Sequence, residues 1–174
     1  MKMLTTQVTG LLQRIANSQE EAIEETARLL AQATVGEGQV YLAPFGEMEA
    51  LYANATASQL FPSLAKWTSE SELTSADRVW ILTPRADHPE ALALARELSD
   101  RFIPFSALAA DKASEENVLS ELAYTYVSLG FTKGLLPTDT GERVVLPYAL
   151  AGLFVYEAVL LEVRDMTLGS DELE

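Results

Sequence analysis

Four short runs of mostly apolar residues punctuate the chain: QVYLA at 39–43, RVWIL at 78–82, RFIPFSAL at 101–108 and AYTYVSL at 123–129. The apolar stretches are short for helices and rich in Val, Ile, Tyr, Trp and Phe, and the first two lead through a proline-bearing loop into a longer helical pattern. Strands that are apolar at nearly every position are buried on both faces, as in a parallel sheet with helices above and below it. The pattern therefore predicts an α/β fold: a doubly wound parallel sheet in a three-layer αβα arrangement of the flavodoxin or Rossmann type.

Between these runs the apolar positions change to helical spacing. Val8, Leu11, Leu12 and Ile15 share one face of a helix expected from about Thr5 to Ala16, with a break near Asn17. Ile23, Ala27, Leu30 and Ala31 mark a second helix that ends at the Gly36 and Gly38 turn, and Ser18 with Glu21 has capping-box spacing at its start. A further helix is expected from Glu47 to about Ala57. Residues 66–77 lack a sustained apolar face and read as an exposed loop or a short edge element. SEENVLSEL at 114–122 predicts a short helix with Ser114 as N-cap, and Asp139, Thr140 and Gly141 predict a turn. Pro147 suits the first turn of a long final helix. The expected organisation is a single domain over 1–174, with N-terminal helices in 1–35, an α/β core in 39–168 and a tail in 169–174.

The apolar run at 144–163 carries only Glu157 and Glu162 as charges. A membrane span needs ~20 nearly uninterrupted apolar residues. Pro147 near the start, Glu157 well inside and Arg164 and Asp165 directly after favour instead a buried helix, or one at a subunit interface. Twelve basic against twenty-six acidic residues give a formal charge of −14, which repels nucleic acid and anionic membrane surfaces alike. The absence of cysteine excludes disulfides, thiolate catalysis and Cys-ligated metal sites. The N-terminal segment has no apolar region of signal-peptide length, so the expected location is the cytoplasm. No Walker A, GxGxxG, HExxH or EF-hand pattern occurs, and no cofactor or metal is expected. The clusters QEEAIEE and GSDELE read as solvated faces and a frayed terminus.

In an open parallel sheet ligands lie beyond the carboxyl ends of the strands, where helix N-termini offer free N–H groups. Two loops answer to this: APFGEME at 43–49 and TPRADHPE at 83–90. The order of elements and the loop positions resemble the sugar isomerase (SIS) domain family, the phosphosugar-binding fold that includes phosphoheptose isomerase. GQVYLAPFGEMEALYA resembles that family's strand followed by Gly-x-Gly-x-Ser. DRVWILTPRADHPEALALARELSDRFIPFSAL resembles its strand, its Ser-x-Ser-Gly-x-Ser/Thr-Pro loop, its helix and its next strand. KGLLPTDTGERVVLPYALAGLFVYEAVLLEV looks like the closing loop and C-terminal helix of an uncharacterised bacterial branch. Aligned on the proline, Thr83 keeps the hydroxyl of the first serine, while Arg85, Ala86 and His88 replace the second serine, the glycine and the last hydroxyl. In the first loop Pro44 stands where glycine is usual, Gly46 is retained and Met48 takes the serine position.

The resemblance implies binding of a phosphosugar or related carbohydrate derivative by Gly46, Glu47, Met48, Thr83, Arg85, Ala86, Asp87 and His88. It also implies an aldose–ketose isomerase of the phosphoheptose-isomerase type and a homo-oligomer, dimer or tetramer. The guanidinium fork of Arg85, the Thr83 hydroxyl and the amides of the helix opening near His88 suit an anion. Asp87 and Glu90, spaced as a capping box, would claim the same amides, and Glu47 and Glu49 bring negative charge to the opening of the first helix. The loop is thus either an altered anion site or a self-capped turn.

Isomerisation needs a base to carry a proton between adjacent carbons. The candidate catalytic residues are His88, the sole histidine, and Glu157, whose carboxylate on an otherwise apolar helix would have a raised pKa if buried. Their ordinary readings are an exposed helix-start residue and a helix-edge acid that pairs or reaches water. The glutamate that phosphoheptose isomerases carry on the helix after the first loop has no counterpart, because 50–65 contains no Asp or Glu. The alternative expectation is therefore a non-catalytic SIS-like fold acting as a regulatory or assembly protein.

Overall fold

A computed structural model describes residues 1–58 and 64–171, with side chains through Thr167. The apolar runs become β1 (Val40–Pro44), β3 (Arg78–Leu82), β4 (Phe105–Ala109) and β5 (Thr125–Ser128). With the short β2 (Leu64–Lys66) they form one parallel sheet in the order β2-β1-β3-β4-β5. Side chains alternate across it, so each strand feeds two cores. Leu42, Trp80, Leu82, Leu108 and Val127 enter one, with α1 (Lys2–Ser18), α2 (Glu20–Val35), α3 (Glu49–Ser58) and α6 (Tyr148–Asp171). Ala43, Val79, Ile81, Phe105 and Ala107 enter the other, with α4 (Pro89–Asp100) and α5 (Val118–Leu122). This is the single-domain, doubly wound α/β architecture that the pattern predicts.

The apolar C-terminal run is the central helix of the first layer. Ala151, Val155, Tyr156, Val159, Leu160 and Val163 of α6 are buried, and the Tyr156 ring stacks on fully buried Trp80 at 6.1 Å. Among the described residues no helix is long and apolar enough to cross a membrane. Leu150 and Leu161 on its outer side stay 48% and 61% exposed. One polar cluster interrupts this core: the buried hydroxyls of Thr26, Ser106 and Thr125 bond one another at 2.7–2.9 Å, tying α2 to β4 and β5. Each hydroxyl thus recovers inside the protein the hydrogen bonding it gives up to water.

Several local expectations are corrected. The first helix runs to Ser18 and the break falls at Gln19, which heads α2 without a side-chain cap, so the Ser18 and Glu21 capping box does not form. Gln19 is drawn off instead by the sheet, its Oε1 accepting from the Ser128 N–H at 2.8 Å. The N-cap of α5 is Asn117, whose Oδ1 accepts from the Ser120 N–H, rather than Ser114. Leu64–Lys66 is a true edge strand, parallel to β1. The segment that follows is less exposed than its composition suggests, because Leu73 and Asp77 are buried. The Asp77 carboxylate accepts from Gln39 N at 2.8 Å, Thr74 N at 2.7 Å and Thr74 Oγ1 at 2.9 Å, which joins the amino ends of β1 and β3.

The expected turn at Asp139, Thr140 and Gly141 closes a small hairpin of β6 (Leu136–Pro137) and β7 (Arg143–Val144). Pro147 then leads into α6, its carbonyl accepting the Ala151 N–H at 3.0 Å. The expected tail at 169–174 is helical as far as Asp171, and 172–174 lie outside the described residues.

Candidate functional site

From β1 the chain steps outward to β2 and then returns past β1 to β3, so β1 and β3 are the neighbours between which the winding reverses. At such a switch point the two loops leading away from the strands diverge and leave a crevice. Here they are the 45–48 and 83–88 loops. They touch through Gly46: its φ of +56° lies in the left-handed region glycine adopts without strain, and a Cβ there would meet Pro84 at 3.2 Å. Beside this contact lies a cleft of about 290 Å³ lined by Phe45, Gly46, Glu49, Lys66, His88 and Glu90, among others.

The polar groups of the cleft come from three elements. Lys66, at the end of the edge strand, pairs with Glu49 at 2.7 Å and lies 5.4 Å from the Tyr52 ring centre. The half-buried His88 ring stands 5.3 Å from the Phe45 ring, and its Nδ1 is buried with no hydrogen-bond partner among the described residues. His88 also opens α4. Pro89 stands in the first turn and His88 gives no side-chain cap, so the first turn of α4 keeps N–H groups that no side-chain cap from His88 satisfies. The capping box expected of Asp87 and Glu90 is not made: Asp87 is exposed, 3.9 Å from Arg85 Nε and beyond hydrogen-bond reach.

A different carboxylate occupies the 83–88 loop. Asp111, just past the end of β4, accepts from the Ala86 N–H through Oδ2 at 2.8 Å and pairs with Arg85 Nη2 through Oδ1 at 2.8 Å. Its own backbone is anchored. The Tyr126 hydroxyl donates to Asp111 O at 2.7 Å while accepting from Asn117 Nδ2 at 3.0 Å. Burial pushes the Tyr126 phenol up to about 12, so it remains a donor throughout the neutral range. Outside this contact a second cleft, of about 350 Å³, is lined by Arg85, Asp87, Asp111, Lys112 and Asn117 among others.

The expected site residues thus divide. Gly46 and His88 meet at the switch-point cleft, while Arg85, Ala86 and Asp87 line the second cleft beside it. Thr83 lies at the base of the loop but is fully buried, its hydroxyl donating to Arg85 O at 3.0 Å, so it shapes the loop from within. Met48 is fully buried under α6, where a Cβ on Gly152 would stand 3.0 Å from its Sδ, and Glu47 points to solvent. Glu157 is corrected as a buried acid: it is exposed on the outer side of α6 and accepts from Asn54 Nδ2 at 3.2 Å. The sequence pattern does not single out Asp111 or Lys66. The signal for Asp111 was an acid two residues past the strand next to β3, where parallel neighbours bring their carboxyl-end loops together.

Solved structures of sugar isomerase domains share this fold. NanR of Vibrio vulnificus, complexed with ManNAc-6P, superimposes with a TM-score of 0.71 at 13% identity, over 97% of this chain and 63% of that one. The sugar isomerase domain of the RpiR transcription factor of Sphaerobacter thermophilus gives 0.65 at 15% identity, over 95% and 89%. The chain belongs to the family described as a domain of unknown function (DUF2529), which matches residues 1–167. It is also 30% identical over 171 residues to the uncharacterised protein YwjG of Bacillus subtilis (strain 168), covering 95% of this chain and 96% of that protein.

Proposed function

We propose that the chain is a phosphosugar-binding domain. Its 83–88 loop receives the phosphate, through Arg85 and the amides around it, and the cleft between Gly46 and His88 receives the sugar. The observation that carries this reading is the open crevice between the two switch-point loops, which brings a lysine, an imidazole and uncapped helix amides together in a chain of net charge −14. The fold's occurrence in NanR complexed with ManNAc-6P supports a phosphorylated sugar as ligand.

The geometry favours binding over turnover. Of the two expected proton carriers only His88 is at the cleft, and Glu157 is bonded to Asn54 on the outer side of α6. Any aldose–ketose exchange therefore runs through His88 and the neighbouring carboxylates Glu49 and Glu90. Calorimetric titration with pentose, hexose and heptose phosphates is expected to give saturable heat with at least one of them. Incubation of that ligand with the protein in deuterated water reads turnover directly as deuterium uptake at the carbon next to the carbonyl. No heat with any phosphosugar overturns the binding reading.

A second reading, assembly through the outer side of the first helical layer, is favoured by one feature. Val144, Val145, Leu146 and Leu150, close together in the chain at the entry to α6, and Leu161 further along α6 are 37–61% exposed, apolar surface that water does not favour. A homodimer is expected in light scattering at micromolar concentration, and a monomer there removes the support for this reading.

A further inference from the structure

We propose that Asp111 is a resident competitor for the phosphate seat, so that a ligand binds the 83–88 loop only by displacing it. The inference rests on the phosphosugar reading above and adds what controls that site. Two oxygens of a single carboxylate span a guanidinium and a backbone N–H, at 2.8 Å each, as two oxygens of a phosphoryl group would. These are the donors that an anion at this loop requires, and they are taken from inside the molecule. Asp87, the acid closer in sequence, makes only a looser 3.9 Å ion pair with Arg85 Nε and lies beyond hydrogen-bond reach of it.

The competitor is placed by its backbone rather than by chance contact. Asn117 Nδ2 donates to Lys112 O at 2.9 Å and to the Tyr126 hydroxyl, and that hydroxyl holds Asp111 O, so the segment after β4 is fixed where the Asp111 side chain reaches the neighbouring loop. Asp111 keeps 21% of its side chain exposed, on the wall of the 350 Å³ cleft, so the carboxylate has room to leave without disturbing the sheet. A ligand then pays for the displacement: apparent affinity falls by the fraction of molecules in which the seat is vacant. Asp111 thereby selects for ligands that bring more negative charge than a carboxylate does.

The test is calorimetric titration of inorganic phosphate into the wild-type chain, Asp111→Asn, and Asp111→Asn combined with Arg85→Ala. Asp111→Asn is expected to bind phosphate about tenfold more tightly than wild type, and the double variant to lose that gain. If wild type binds and Asp111→Asn binds equally or less tightly, the competitor is overturned while the phosphosugar site stands. If neither binds phosphate or any phosphosugar, the site reading fails and takes this inference with it. Should Asp111→Asn not fold, the wild-type chain still decides by NMR during phosphate titration. The Ala86 amide and the Asp111 carboxyl carbon are expected to shift along one saturation curve, and an Asp111 carbon that stays fixed overturns the proposal.

Discussion

Arg85→Ala is expected to lower phosphosugar affinity about 10- to 100-fold, the worth of one or two charge-assisted hydrogen bonds to a phosphate. Thermal stability should change little. The Arg85 side chain is 41% exposed and its partner Asp111 21%, so solvent screening holds the pair to roughly 1 kcal/mol or less. Calorimetric titration beside a melting curve separates the two effects. Unchanged affinity would show that the phosphate does not sit on this guanidinium, whereas a large loss of melting temperature would give the arginine a structural role.

The largest effect on stability is expected at the opposite end of the sheet. Asp77→Ala removes three hydrogen bonds to a carboxylate that is only 6% exposed and strands the Gln39 and Thr74 N–H groups. A loss of about 3 kcal/mol follows from bonds to a charged acceptor at about 1.5 kcal/mol or more each, less what water recovers. For a chain of this length that is a fall of roughly 6–12 °C in melting temperature. The connection has no slack, because a Cβ on Gly38 would lie 2.0 Å from the Ala76 carbonyl oxygen. Urea unfolding checks the figure, and a change under about 1 kcal/mol would mean that solvent replaces the carboxylate without loss.

The strands could be read from the sequence because burial on both faces leaves few places for a polar residue. Val79, Trp80, Ile81 and Leu82 are all buried. Helix ends were harder to read. Ser18, Asp87 and Ser114 each have the type and spacing of a cap, yet Gln19, His88 and Asn117 occupy those positions. A cap is worth about 1 kcal/mol, so any tertiary partner of similar strength redirects it. The Gln19 side chain, for one, is held by the end of β5.

The site was legible in outline and not in its wiring. The two loops lie where strand order and proline positions put them, but the acid in the phosphate seat comes from 25 residues further along, a separation that no local pattern carries. Glu157 misled for a geometric reason. On a helix apolar nearly all round, composition does not say which stripe faces out, and Glu157 shares its side of α6 with exposed Leu150 and Leu161.

The clamp that Asp77 forms has a consequence for how such a protein can diversify. It fastens β1 to β3 at their amino ends, far along the strands from the loops that meet a ligand. Substitutions in those loops can accumulate without unzipping the fold, so lineages sharing this scaffold are free to exchange one cargo for another, or to abandon cargo altogether, while the framework persists.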